Sequence, residues 1–266
     1  MATRSWAPSD LTSATLTGWF DAQDASTFTV DSSGKVSEWR SKVGNWAVAQ
    51  ASTTAQPTRS ATGYNNLPAV LFTTDAHNLR GISPSTFPTG SAAGVMSGVA
   101  PYLARRGDYT TLAYQGDASE LRARSVSAAG EVVSSGYYNN DLSSTTRWTG
   151  FDRMFVSAIS TSGFAEIWVD GGAVYSLQRR ALQTPVGAPF YIGRSPNGDA
   201  WQSPVQEVLW ITGTLSSADR DKLFGYYAWR WNLVGQLPTG HAYKAAAPII
   251  SDSTNLPAAT CRILWF

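Results

Sequence analysis

The chain is poor in charge: 15% of its 266 residues are Asp, Glu, Lys or Arg, and the net charge is +1. It contains no basic run of the kind that tracks phosphates, so charge gives no support to nucleic-acid binding. The one cysteine, Cys261, excludes an intrachain disulfide, so stability must come from a core. The two histidines, His77 and His241, lie far apart in the chain. Neither has a Cys or second His at ligand spacing, which excludes the common zinc patterns. No run of about 18 apolar residues occurs that would read as a membrane-spanning helix. Met1–Trp6 has no apolar stretch behind its charge, which reads against a signal peptide. The expectation is a protein made in a cytoplasm with no export address. No Gly-x-Ser-x-Gly elbow or Walker-type loop is present, so acyl transfer and nucleotide binding lack a handle.

What is present is β texture: 43% hydrophobic residues with many Ser, Thr, Gly and Asn, and 11 Trp, 11 Tyr and 10 Phe. Apolar or alternating runs predict strands at Thr15–Asp21, Lys35–Trp39, Ala69–Thr73, Glu120–Ser127, Arg153–Ile159, Pro189–Gly193 and Val205–Ile211. In Ala165–Tyr175, β-formers flank Asp170 and Gly171, which supply the positive φ angles of a tight hairpin turn. One helix is predicted after Ser216, with Leu223, Tyr227 and Trp231 recurring every four residues as one apolar stripe. Regular strands without intervening helices argue for an antiparallel sandwich rather than a parallel α/β sheet. Gly81–Gly98, rich in Ser, Gly and Pro, reads as a long loop.

The order of motifs adds a resemblance. Trp168–Gly171 (WVDG), Phe190–Gly193 (FYIG), Glu207–Trp210 (EVLW) and Leu215–Arg220 (LSSADR) resemble the closing half of concanavalin-like, LamG-type domains. Gly18–Ala22 (GWFDA), Gly34–Trp39 (GKVSEW) and Leu67–Phe72 (LPAVLF) are similar to the opening half, especially to versions encoded by tailed phages. Gly225–Trp231 followed by Leu237–Lys244 (LPTGHAYK) resembles a helix exit in the same group, with Ala242 where a Pro is usual. The resemblance implies an all-β, two-sheet antiparallel jelly-roll sandwich with one short C-terminal helix. On this reading an N-terminal arm (1–10) precedes a sandwich domain (11–244) and a C-terminal extension (245–266) that could dock on a partner.

Fold does not fix function, so the residues must. Retaining hydrolases of this fold resemble one another in a Glu-x-Asp-x-x-Glu strand. None of Glu38, Glu120, Glu131, Glu166 and Glu207 has an Asp two places on. Glu166 and Asp170 share a strand, but Asp170 reads as the turn residue. The chain is therefore expected to be non-enzymatic. Asp21, Asp24, Asp31 and Asp75 offer oxygen ligands for calcium, yet they are also ordinary turn formers, and no cofactor is expected. Loop aromatics are the remaining candidates, because flat rings stack on sugars. They give a carbohydrate site of Tyr137, Tyr138, Asn139, Asn140 and Asp141, with Trp201 in a second loop. Trp19, Trp39, Trp168, Trp210, Trp229 and Trp231 are assigned to the core. The expected role is a structural or decoration protein on a tailed-phage particle. Its partners would be other virion proteins and host-surface glycans, with no nucleic acid and no membrane. Self-association is left open. The alternatives are a free lectin-like adhesin and a glycoside hydrolase with an unusual site.

Overall fold

A computed structural model describes residues 3–251 except 104–108, 120, 130–131, 137–139 and 149. Two antiparallel sheets dominate it. In spatial order, Ala173–Gln178, Phe164–Val169, Asp152–Ile159, Gly94–Pro101, Glu207–Thr212 and Thr15–Asp21 form a six-stranded sheet. The nine-stranded sheet runs Leu142–Arg147, Val132–Ser135, Ala123–Ala129, Tyr109–Gly116, Pro189–Ile192, Leu79–Ile82, Ala47–Ala49, Val36–Arg40 and Phe28–Val30. A three-stranded sheet (Pro204–Val205, Leu67–Leu71, Thr58–Tyr64) lies beside them. The expected all-β sandwich with one short helix is the observed architecture.

Strand alternation sends one set of side chains into the space between the sheets, and rings fill it. Phe20 and Trp210 come from the six-stranded sheet and Phe190 from the nine-stranded one, with Trp210 5.6 Å from Phe190 and 6.2 Å from Phe20. Phe87 stacks on Trp210 at 5.6 Å, and Trp46 meets Phe190 edge-on at 4.9 Å. Room for these rings is made by missing side chains: a Cβ on Gly81 would overlap Phe190, and one on Gly18 would crowd Trp46. Buried rings of this size carry much of a core's stabilisation, roughly 25 cal/mol for each Å² removed from water.

The single α-helix among the described residues, Ser217–Arg230, covers the outer face of the six-stranded sheet, where Tyr227 Oη lies 3.0 Å from Ser97 Oγ. The Ser216 hydroxyl caps it by accepting from Asp219 N at 3.1 Å. Asp219 does more than favour the helix dipole. Its carboxylate accepts from the amides of Thr12 (2.9 Å) and Ser13 (2.8 Å), tying the N-terminal segment to the helix start. Leu223, Tyr227 and Trp231 are buried as their spacing predicts.

Thr3–Ser5 pairs with Ile249–Ser251, Trp6 is 2% exposed, and its amide donates to Pro248 O. The Asp170–Gly171 turn has the anticipated positive φ angles, 53° and 77°.

Three expectations are corrected. Gly81–Gly98 is not one loop, because Leu79–Ile82 and Gly94–Pro101 are strands and Val95, Met96 and Val99 are core. Trp229 is 44% exposed, on the solvent side of the helix, with its indole N–H on Tyr243 O. Trp168 is only half-buried, beneath the Arg220 guanidinium at 4.6 Å.

Candidate functional site: a donor-rich groove on the nine-stranded sheet

In Pro189–Ile192, Phe190 and Ile192 are buried in the core, so alternation turns Tyr191 to the outer face. The same rule turns Arg80 outward beside buried Leu79, and Ala49 outward beside buried Val48. Register lines the three up across neighbouring strands, Tyr191 opposite Arg80 and Arg80 opposite Ala49. Gln50 and Asn78 stand at strand ends on one side. Arg194, Ser195 and Pro196 follow Ile192 on the other. Together they line a groove of about 330 Å³.

The groove is held by its own hydrogen bonds. Gln50 Nε2 donates to Asn78 Oδ1 at 3.1 Å, Gln50 Oε1 accepts from Ser52 N, and Asn78 Nδ2 donates to Ala76 O. Ser195 Oγ donates to Asp199 Oδ2 at 2.6 Å and accepts from the amides of Asn197 and Asp199, which fixes the turn carrying Arg194. The Arg80 guanidinium lies 5.5 Å from the centre of the Tyr191 ring, a cation–π contact. Tyr114 supports that ring edge-on from 6.5 Å. No Asp or Glu is among the lining residues.

Two acid clusters lie elsewhere, both closed. Glu207 is opposite Asp21 in register and 0% exposed beneath the helix. It accepts from Trp19 Nε1 (2.6 Å), Trp231 Nε1 (2.6 Å) and Tyr226 Oη (3.0 Å). Burial and the neighbouring Asp21 push its carboxyl above the usual range, while Asp21 pairs with Lys42 and Arg230. Asp152, 3% exposed, is pushed up to about 7, chiefly by burial. Asn65 Nδ2 donates to its Oδ2, and nearby Asp170 adds like charge.

The residues anticipated from sequence fare differently. Tyr137, Tyr138 and Asn139 lie outside the described residues. Asn140 is 3% exposed and braces the Arg179–Arg180 segment, its Oδ1 accepting from Arg180 N at 3.2 Å. Asp141 is half-buried, and burial raises its pKa. Trp201 is a correction. It is 0% exposed, 4.9 Å from Trp148 and 5.3 Å from Tyr102, with its indole N–H on Pro204 O, so no sugar reaches its ring. The cause is local: Trp201 N bonds to Gly193 O, which folds the 195–201 turn back and drives the ring inward.

Asp170 holds its turn, accepting from Met154 N and Arg153. Among the acids weighed for calcium, Asp24 accepts from Ser26 N, and Asp31 accepts from Ser33 N and Lys35 N, both ordinary turn roles. The groove residues were missed because they come from three separate stretches of chain. The one available signal was the alternation of PFYIG, which places Tyr191 opposite to two core residues.

No family model matches the sequence, and no curated protein does. Solved structures do. The chain is similar to a Trypanosoma rangeli sialidase in complex with 2,3-difluorosialic acid, at 12% identity over 79% of this chain and 32% of the sialidase, with a TM-score of 0.53. It is similar to a mutant GH54 α-L-arabinofuranosidase soaked with 4-nitrophenyl α-L-arabinofuranoside, at 13% identity over 79% of this chain and 58% of that one, TM-score 0.50. An arabinofuranosidase complexed with arabinofuranosyl-α-1,2-xylobiose matches at 13% identity over 84% of this chain and 61% of its own, TM-score 0.50. The chain thus spans less than two thirds of each of these enzymes, and at such identity the likeness shows the fold alone. It still overturns the expectation of a non-enzymatic chain. This fold occurs within glycoside hydrolases, so the missing Glu-x-Asp-x-x-Glu strand does not exclude catalysis.

Proposed function

We propose that this sandwich binds carbohydrate in the groove over Tyr191. The observation that carries the reading is the juxtaposition of an aromatic ring with guanidinium and amide groups on a rigid outer sheet face. Sugars offer an apolar ring face and a rim of hydroxyls, and such a floor with such walls complements both. The similarity to structures of carbohydrate-active proteins supports it. Titration calorimetry against a broad oligosaccharide panel tests it. Binding that falls roughly two- to tenfold in Tyr191→Ala, with the circular dichroism spectrum unchanged, is expected, since a ring contact contributes roughly 0.5–1.5 kcal/mol. A panel with no binder would sink the reading. Scoring the same mixtures for released reducing ends separates binding from hydrolysis.

Within this reading we place the protein on a tailed-phage particle, beside other virion proteins and facing host-surface glycans. The ordered motifs from Gly18 to Lys244 support that placement. Mass spectrometry of purified particles tests it, and absence from them would defeat it.

A further inference from the structure

Arginines in this protein are generally engaged by a carbonyl or a carboxylate. Arg59 donates to Ala22 O, Arg124 to Ala92 O, Arg153 to Asp170 and Arg230 to Asp21. On the surface, Arg4 pairs with Asp10, Arg40 with Glu38 and Arg122 with Asp117. Arg80 and Arg194 depart from this pattern, and both line the groove. No described residue accepts a hydrogen bond from either or forms an ion pair with it. Arg80 is placed by the Tyr191 ring, and the turn carrying Arg194 by the Ser195–Asp199 bonds. Each guanidinium brings five N–H donors in a fixed planar fork.

The other polar groups cannot supply the missing acceptors. Gln50 and Asn78 are committed to each other and to backbone. Asp199 is engaged by Ser195, and no carboxylate lines the groove. Beside the Tyr191 hydroxyl, which can donate or accept, the unused capacity is therefore that of two cationic donors. With a net charge of +1, the chain as a whole has no broad positive field to gather polyanions. Any selection for an anion is local to this pair.

Resting on the carbohydrate reading of the same groove, we propose that its ligand is an acidic sugar, a glycan residue whose carboxylate is taken by Arg80 and Arg194. A planar carboxylate matches a guanidinium fork with two parallel hydrogen bonds, whereas a neutral hydroxyl leaves most donors unused.

The test compares matched ligands that differ in charge: trigalacturonate against its methyl ester, and 3′-sialyllactose against lactose. Affinities are measured by calorimetry at low and high salt. At least one acid binds ten times or more tightly than its neutral twin, the gap narrows in high salt, and Arg80→Ala and Arg194→Ala each weaken that acid tenfold or more. Acid and neutral twins bound equally would overturn the proposal while sparing the carbohydrate reading. So would a panel in which only neutral sugars bind and Tyr191→Ala abolishes that binding. Carrageenan oligosaccharides, which carry sulfate and no carboxylate, bound in place of both carboxylated sugars would overturn it in favour of sulfate recognition. No binding to any sugar removes both readings together.

Discussion

Replacing Glu207 by leucine removes a carboxylate that three buried groups depend on. The indole N–H groups of Trp19 and Trp231 and the hydroxyl of Tyr226 all donate to it, at 2.6, 2.6 and 3.0 Å. Those donors are 8%, 0% and 9% exposed by residue, so water cannot replace the lost acceptor freely. Each stranded donor costs about 1–3 kcal/mol, which gives roughly 3–9 kcal/mol for three. Part is returned, because leucine ends both the repulsion from Asp21 and the burial of a carboxylate. A net loss of about 3 kcal/mol is expected, and a drop in Tm of roughly 6–12 °C for a domain of this size. Glu207→Gln sharpens the test. Its carbonyl still serves Trp19 and Tyr226, while its amide meets the Trp231 N–H donor to donor, so one donor is stranded rather than three. Urea unfolding followed by tryptophan fluorescence should rank wild type above Gln and Gln above Leu. A leucine variant within 1 kcal/mol of wild type, or more stable than the glutamine variant, would refute the reasoning.

Asp152 sets a pH dependence of stability. Below pH 3.8 its carboxyl is protonated in both states. Between 3.8 and about 7 the unfolded chain releases a proton that the native one keeps, so stability falls as pH rises. Asp152→Asn removes that slope and is more stable than wild type at pH 8, by at most roughly 4 kcal/mol, with little difference at pH 4. Urea midpoints across this range check the sign. Trp201→Ala deletes a fully buried indole and should cost about 3–5 kcal/mol in thermal or urea unfolding. Calorimetry on the folded fraction of that variant should show sugar affinity close to wild type, the reverse of the outcome for Tyr191→Ala.

The fold was legible where a local pattern is tied to burial. The Asp170–Gly171 turn, the Leu223–Trp231 stripe and the apolar runs at residues 15–21 and 153–159 are each found, while the run at 205–211 divides between Pro204–Val205 of the three-stranded sheet and Glu207–Thr212 of the six-stranded one. The strands that sequence reading missed lack that contrast. Thr58–Tyr64 and Leu142–Arg147 are polar edge strands with few buried residues, and Ala47–Ala49 is three residues long. Gly94–Pro101 was hidden for the opposite reason. It is buried along its whole length, including two glycines, so it shows no alternation at all.

The groove was illegible for a different reason: its chemistry is a product of pairing. Arg80, Tyr191 and Ala49 are far apart in sequence and come together only because three short strands adopt one register. A shift of one residue would turn Tyr191 into the core and Phe190 to the surface. That register is pinned from behind, since Gly81 admits the Phe190 ring and no larger residue does. The aromatic core thus fixes which side chains face out. Loop tryptophans looked like sugar platforms because composition cannot tell a ring that covers a core from one that waits for a ligand. Trp201, with a buried proline carbonyl on its N–H, belongs to the first kind. Tyr191, backed by Tyr114 and beside Arg80, is the ring proposed for the second.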